Sequence, residues 1–344
     1  MQELDLAAAV QSAVGAWMQG TPQDERIVDM ADPVKLSAKL TEDVERALVK
    51  MDKDPKVTRQ VLMRAPFFQL KGVFIPANLP NTPEWFTPVP DVDSTLAGRA
   101  AALATHGFLG KETVSYGSES DGALFVNLVR IDGSGKYADK STGSMRGHTD
   151  AVSFPFNGEV DAIDPRIAPS PDLVTLVGLR NPGAVPTTVM VLEDVLGELT
   201  PEHVAELKKE QFTIESQFTF WEGMREILGH IHTAIDEPVL KDAPAGTIVR
   251  YSHSSVKPTV LGGAAKAASD SLELACNKVV VSVVVEPGDV LVVSNRLCLH
   301  GRGFVGGEIG GHARWLLRTY ALDTSSLDAN RRHLGDRPAY VLYP

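Results

Sequence analysis

The run EPGDVLVVSNRLCLHGRG, residues 286–303, decides how the chain is read. Pro287-Gly288-Asp289 is turn chemistry, because Gly tolerates left-handed backbone and Asp bonds to its own turn. DVLVVSN (289–295) follows as a β-branched run of strand length, and His300 comes just before a glycine-rich stretch. Working outward, ALFVNLVRI (123–131), LVTLVGL (173–179), TTVMVL (187–192), TIVRY (247–251), KVVVSVVV (278–285) and RWLLRTYAL (314–322) are runs of the same kind bounded by turn residues. The first third has a different period. Apolar residues recur at helical spacing over 5–18, Asp32-Pro33 opens a helix to about residue 51, and Ser94 caps one through residues 96–103. Five prolines in 74–90 mark irregular chain between them. Two helical inserts, 200–209 and 219–232, interrupt the strands.

Helices first and strands later give a mainly β fold with helices packed on it, of the α+β class. No stretch has the composition of a flexible linker, so the 344 residues form one domain. Residues 1–113 are its mostly helical part, 114–323 its β core with a helical insert at about 200–235, and 324–344 a C-terminal tail.

Composition excludes several classes of function. Asp plus Glu number 44 against 33 Lys plus Arg, a formal charge of −11, so neither nucleic acid nor an anionic membrane surface is an expected partner. Two cysteines, Cys276 and Cys298, make no disulfide framework and no thiolate zinc site. The N-terminal apolar run follows acids rather than a basic segment, so no signal peptide is expected, and the simplest location is the cytoplasm.

Three features carry chemistry. In Gly147-His148-Thr149-Asp150, residues two apart on a strand share a face, so His148 and Asp150 converge as divalent-metal ligands. His300, 152 residues later, closes a facial triad of two imidazoles and one carboxylate, which leaves metal positions open as in non-haem iron oxygenases. Arg314 and Arg318 share a strand face and offer two guanidiniums to anions. In GHIHTAI, His230 and His232 lie on a helix pattern, where positions two apart do not share a face, so they are not read as a metal pair.

These features, in this order, resemble the clavaminate synthase-like branch of the taurine dioxygenase superfamily of Fe(II)/2-oxoglutarate oxygenases. PGDVLVVSNRLCLHGR and ARWLLRTYAL carry the resemblance, which extends over roughly residues 124–323. It implies a distorted double-stranded β-helix, or jelly roll, as the core. It also implies Fe(II) held by His148, Asp150 and His300, and the distal carboxylate of 2-oxoglutarate held by Arg314, helped by Thr188 or, second, Thr187. With O2 as oxidant, the expected reaction is hydroxylation of an unactivated C–H bond. Many members of the branch carry Glu where this chain has Asp150; a Gly or Ala there would point to halogenation instead.

The resemblance places the α-carboxylate of a free L-amino acid on Arg318, with Asn127, Glu119 and Ser144 as candidates around the α-amine. TIVRYSHSSVKP (247–258) lacks the paired acids expected for an arginine substrate. Lysine is the candidate drawn from the acidic composition, with Glu215, Asp236, Glu237 and Asp242 as possible ammonium partners. The segment 154–170, directly after the metal motif, is expected to form a lid. Alternatives of other kinds are a carrier-tethered or peptide substrate, desaturation or ring closure, a non-catalytic jelly-roll binding protein, and zinc-assisted hydrolysis. The last gives Arg314 no role.

Overall fold

The computed structural model describes all residues except Met1, Ala245 and Leu334. Helices Gln2–Gly20, Pro33–Lys50 and Asp93–Phe108 pack together, as their apolar spacing requires. Leu6, Val10, Leu40, Val44, Leu48 and Leu103 are wholly buried between them. Asp32 caps the second of these helices by accepting from the Lys35 amide, with Pro33 in the first turn where a missing N–H costs nothing. Two shorter helices, Gln23–Ala31 and Pro55–Leu62, were not legible as separate elements.

Seven strands form the larger sheet in the order Phe67–Leu70, Val290–Ser294, Leu173–Arg180, Trp315–Leu322, Glu112–Tyr116 and Val341–Leu342, with Val126–Val129 also pairing along Trp315–Leu322. Four strands form the smaller sheet, Val281–Val283, Thr187–Val191, Cys298–Arg302 and Met145–His148. The chain alternates between them: 145–148 to 173–180 to 187–191, and again 290–294 to 298–302 to 315–322. Leu176, Leu291, Val293 and Leu316 of the larger sheet meet Val189 and Cys298 of the smaller in one buried cluster. This is the expected double-stranded β-helix, closed by apolar burial between two sheets.

The Pro-Gly-Asp turn is structural. The Asp289 carboxylate accepts from the Gly72 amide at 2.9 Å and the Gln69 side chain at 2.7 Å, and so ties the turn to the N-terminal part. Gly178 lets this turn approach: a Cβ there would lie 2.0 Å from the Glu286 carbonyl oxygen.

Three expectations are corrected. Gly263–Lys278 is a helix, and the strand that follows is only Val281–Val283. Its buried face is Ala265, Ala268, Leu272, Ala275 and Cys276, mostly small residues whose period is weak in sequence. The helix read over 219–232 is Trp221–Leu228 and stops at Gly229, whose φ of 79° is a left-handed C-terminal cap. The segment 154–170, expected to form a lid, is packed down at both ends. Phe154 is wholly buried with its ring edge-on to Tyr116 and Phe220, and Arg296 bonds Ser170 at 2.7 Å. His232 is buried too, bonded to Asp161 at 2.9 Å, while His230 is exposed.

His106 fastens the helical layer to the larger sheet. Its ring nitrogens bond the Thr113 hydroxyl at 2.8 Å and the Thr175 hydroxyl at 2.7 Å, on two different strands. Complete burial pushes its pKa down to about 3, so it stays neutral when folded. The unfolded chain protonates this imidazole first as pH falls, so the folded state loses stability from about pH 6.5 toward pH 3, by up to about 1.4 kcal/mol per unit. Urea unfolding at a series of pH values should show that slope added to the one His148 contributes, and His106→Gln should reduce the total by up to about 1.4 kcal/mol per unit whatever it does to stability at neutral pH.

Candidate functional site

His148 ends one strand of the smaller sheet and His300 lies within its neighbour, directly opposite in register. Their ring centroids are 4.5 Å apart. Asp150 follows just past the strand end, with carboxylate oxygens 3.6 Å from Nε2 of each histidine. One ligand atom from each of the three residues lies within 4.8 Å of the others, and all three side chains are buried. The His148 Nδ1–H donates to the Arg146 carbonyl at 2.9 Å, which leaves Nε2 with a free lone pair toward the centre.

At His148 and Asp150 the electrostatics give the protonation states that a divalent cation requires. Burial, reinforced by His300, pushes the His148 pKa down to about 3. Burial alone would raise that of Asp150, but His300, Arg318 and His148 outweigh it and hold the carboxyl well below its usual range. Neutral imidazole and ionised carboxylate at these spacings fit a metal of the kind that takes two histidines and one carboxylate.

Two side chains unassigned in the sequence reading hold this geometry. Asn295 accepts from the Asp150 amide at 2.8 Å and donates to the Asp150 and Pro171 carbonyls, each at 3.0 Å. Gln217 accepts from Ala151 at 2.9 Å and donates to Thr149 at 3.0 Å, while Ala151 takes a left-handed φ of 52°. Asn295 lies within the 286–303 run; Gln217 has no sequence signal.

The triad opens into a cavity of about 580 Å³, within the range of small-molecule sites. Arg314 is buried at its wall and, among the described residues, has no hydrogen bond or ion pair; its Nε is enclosed without a partner. Arg302 is beside it, its Nε also without a partner, though Nη2 donates to the Lys140 and Gly143 carbonyls. Burial, then the neighbouring Arg302 charge, pushes the Arg314 pKa down to about 9. A buried and a half-buried guanidinium side by side without a carboxylate are a costly arrangement that a bound anion would relieve. Thr187, paired with Arg302 in register, faces this cavity; Thr188, the first choice from sequence, alternates to the opposite face behind Gly301.

Arg318 also lines the cavity, gripped by Glu119 through two bonds of 3.0 and 2.7 Å, with the Tyr320 hydroxyl donating to the same carboxylate at 3.1 Å. Burial opposes the Arg318 charge, but Glu119, Tyr320 and Asp150 more than offset it and hold its pKa above the ordinary value. Its Nε remains a buried donor with no partner.

The other candidates lie elsewhere. Asn127 is fully buried and its amide is consumed by the Pro88 carbonyl at 2.9 Å, the Trp85 carbonyl at 3.3 Å and the Trp315 indole at 2.8 Å. It holds the 85–88 loop rather than facing the cavity. Ser144 is exposed, and Met145 and Ser141 line the wall instead. Glu237 pairs with Arg250, and Asp242 with Lys208 at 2.7 Å, around a separate depression of about 240 Å³. Neither they nor Glu215 and Asp236 reach the main cavity.

No family model and no curated relative matches the chain. Solved structures do. An asparagine oxygenase with Fe(II), (2S,3S)-3-hydroxyasparagine and succinate superposes with a TM-score of 0.70, at 21% identity, over 94% of this chain and 98% of that one. The non-haem iron oxygenase OrfP, with iron, succinate and (3S)-hydroxy-L-arginine, gives 0.72 at 19% identity, over 98% and 97%. OrfP with iron and α-ketoglutaric acid gives 0.70 at 20% identity over the same shares. The chain has the fold of these oxygenases. The jelly-roll expectation is thereby met along nearly the whole length.

Removing the amide that clamps Asp150 should loosen the triad without unfolding the sheet. Asn295→Ala is expected to weaken Co(II) or Fe(II) binding by about 10–100-fold in an anaerobic titration, with the far-UV spectrum unchanged.

Proposed function

We propose that the protein is an Fe(II)- and 2-oxoglutarate-dependent oxygenase that hydroxylates a free L-amino acid. One observation carries the reading: a single cavity joins a His-Asp-His triad to the unpartnered buried Arg314, with Arg302 and no carboxylate beside it, and to a buried Arg-Glu pair. A two-anion co-substrate and a zwitterion together account for those charges. The asparagine and arginine derivatives bound by the similar structures support it.

His148 Nε2, His300 and the Asp150 carboxylate would hold the iron. Arg314, with Arg302 beside it and the Thr187 hydroxyl on the next strand, would take the distal carboxylate of 2-oxoglutarate. When bound, iron and 2-oxoglutarate supply the oxidising power for hydroxylation: a C–H bond, O2 and 2-oxoglutarate yield C–OH, succinate and carbon dioxide. The chain's own contribution is placement. Arg318 offers its spare Nε–H to an α-carboxylate, and Glu119 accepts from an α-ammonium, so both ends of the substrate backbone are fixed beside the metal ligands. Tyr137 packs against Phe86 and Phe218, with ring centroids 5.7 and 5.1 Å away, and forms an aromatic rim to the cavity. Glu215, Asp236, Glu237 and Asp242, the acids invoked for lysine, do not line the cavity. No helix among the described residues is long and apolar enough to cross a membrane.

Anaerobic reconstitution with Fe(II) and 2-oxoglutarate, followed by oxygen and each common L-amino acid, should give succinate and a product heavier by one oxygen for at least one of them. Arg314→Met should raise KM for 2-oxoglutarate at least tenfold while iron still binds. Failure of the wild-type protein to bind iron or 2-oxoglutarate, with His148→Ala changing nothing, would overturn the reading.

A further inference from the structure

Helix Lys136–Thr142 turns Lys140 into the cavity, where its ammonium stands 4.9 Å over the Phe218 ring. Among the described residues no carboxylate pairs with it. The charges that bear on it are Asp150 and Glu119, which favour its charged form, and Arg318 and Arg302, which oppose it. Both acids are already engaged. Asp150 belongs to the metal triad, and Glu119 takes two bonds from Arg318 and one from Tyr320. Of the remaining acids that line the cavity, Asp121 is exposed and paired with Arg337, and Glu222 and Glu226 are exposed on helix Trp221–Leu228. With the substrate backbone on Arg318 and Glu119, Lys140 is the remaining cation in the cavity outside the arginine pair of the co-substrate.

We infer that Lys140 selects a substrate whose side chain ends in a carboxylate, L-aspartate or L-glutamate. The inference rests on the reading of Arg318 and Glu119 as the site for the substrate backbone. Burial and the two arginines lower the Lys140 pKa, and a side-chain carboxylate arriving beside it relieves that strain. A carbonyl of asparagine or glutamine accepts a hydrogen bond from the ammonium but brings no charge, whereas a carboxylate adds the Coulomb attraction of an ion pair. A lysine or arginine side chain would meet an ammonium with its own positive charge.

The test is calorimetric titration of L-aspartate, L-glutamate, their amides, L-lysine and L-arginine into the full chain loaded anaerobically with Fe(II) and 2-oxoglutarate. One of the two acids should bind at least tenfold tighter than its amide and than either cationic amino acid. Lys140→Met should erase that preference, and Lys140→Glu should invert it toward lysine or arginine. Amide or cation binding as tightly as the acids, no binding by any of them, or acid affinity unchanged in Lys140→Met would overturn the inference. Iron and 2-oxoglutarate binding, measured first on the wild-type protein, separates the two failures. If they bind and the acids are not preferred, only the role of Lys140 falls; if they do not bind, the oxygenase reading falls with it.

Discussion

The pairing of Cys298–Arg302 with its two neighbours in the smaller sheet is the constraint on which the site depends. Through it His300 lies opposite His148 on one side and Val189 on the other, and Arg302 lies opposite Thr187. Side-chain direction alternates strictly along a strand, so a slip of one residue would turn both ligand and guanidinium away from the cavity together. Gly301 makes a close version of this pairing possible, because a Cβ there would lie 2.2 Å from the Met145 carbonyl oxygen. Metal ligands far apart in sequence are thus brought together by backbone register, and Asn295 and Gln217 then fix the short turn that carries the carboxylate.

Charge in the cavity is distributed unevenly, and the unevenness carries chemical information. Arg318 is matched by Glu119 before anything binds, so it can receive a zwitterion, whose two ends mirror that pair. Arg314 and Arg302 are unmatched, which fits a partner bearing net negative charge. Net charge says nothing of this: the chain carries −11 overall, while its cavity wall sets four cationic side chains, Lys140, Arg302, Arg314 and Arg318, among the carboxylates of Glu119, Asp121, Asp150, Glu222 and Glu226.

The metal triad and the arginines Arg314 and Arg318 were legible because short local patterns encode them: H-x-D at the end of a strand, a histidine after a Pro-Gly-Asp turn, and arginines of one strand face; Arg302, on another strand, was not. Long β-branched runs likewise announced the sheet. The helix Gly263–Lys278 escaped because its buried face is mostly alanine. Thr188 and Thr187 were ranked by motif match, whereas the facing direction depends on which of them pairs with Arg302. Asn127 was misread because a buried amide on a strand looks the same whether it meets a ligand or a loop. Lys140 gave no sign at all, since a lone lysine in a glycine-flanked polar segment reads as surface until the fold encloses it.

The Asn127 amide has a mechanical meaning beyond packing. It joins the backbone of the 85–88 loop to the indole of Trp315, whose chain neighbour is Arg314. One wall of the cavity and the strand bearing the anion site are therefore a single braced unit, and that wall cannot swing without breaking buried hydrogen bonds. The facing helix Lys136–Thr142 is tied as well: Arg302 donates to the Lys140 and Gly143 carbonyls, the Ile131 amide to the Ser141 hydroxyl at 3.0 Å and the Val305 amide to the Thr142 carbonyl at 2.8 Å, while aromatic rings bridge the two sides. The backbone that carries Lys140 is thus fastened to Arg302, a side chain of the anion pocket itself, so two walls of the cavity share one anchor.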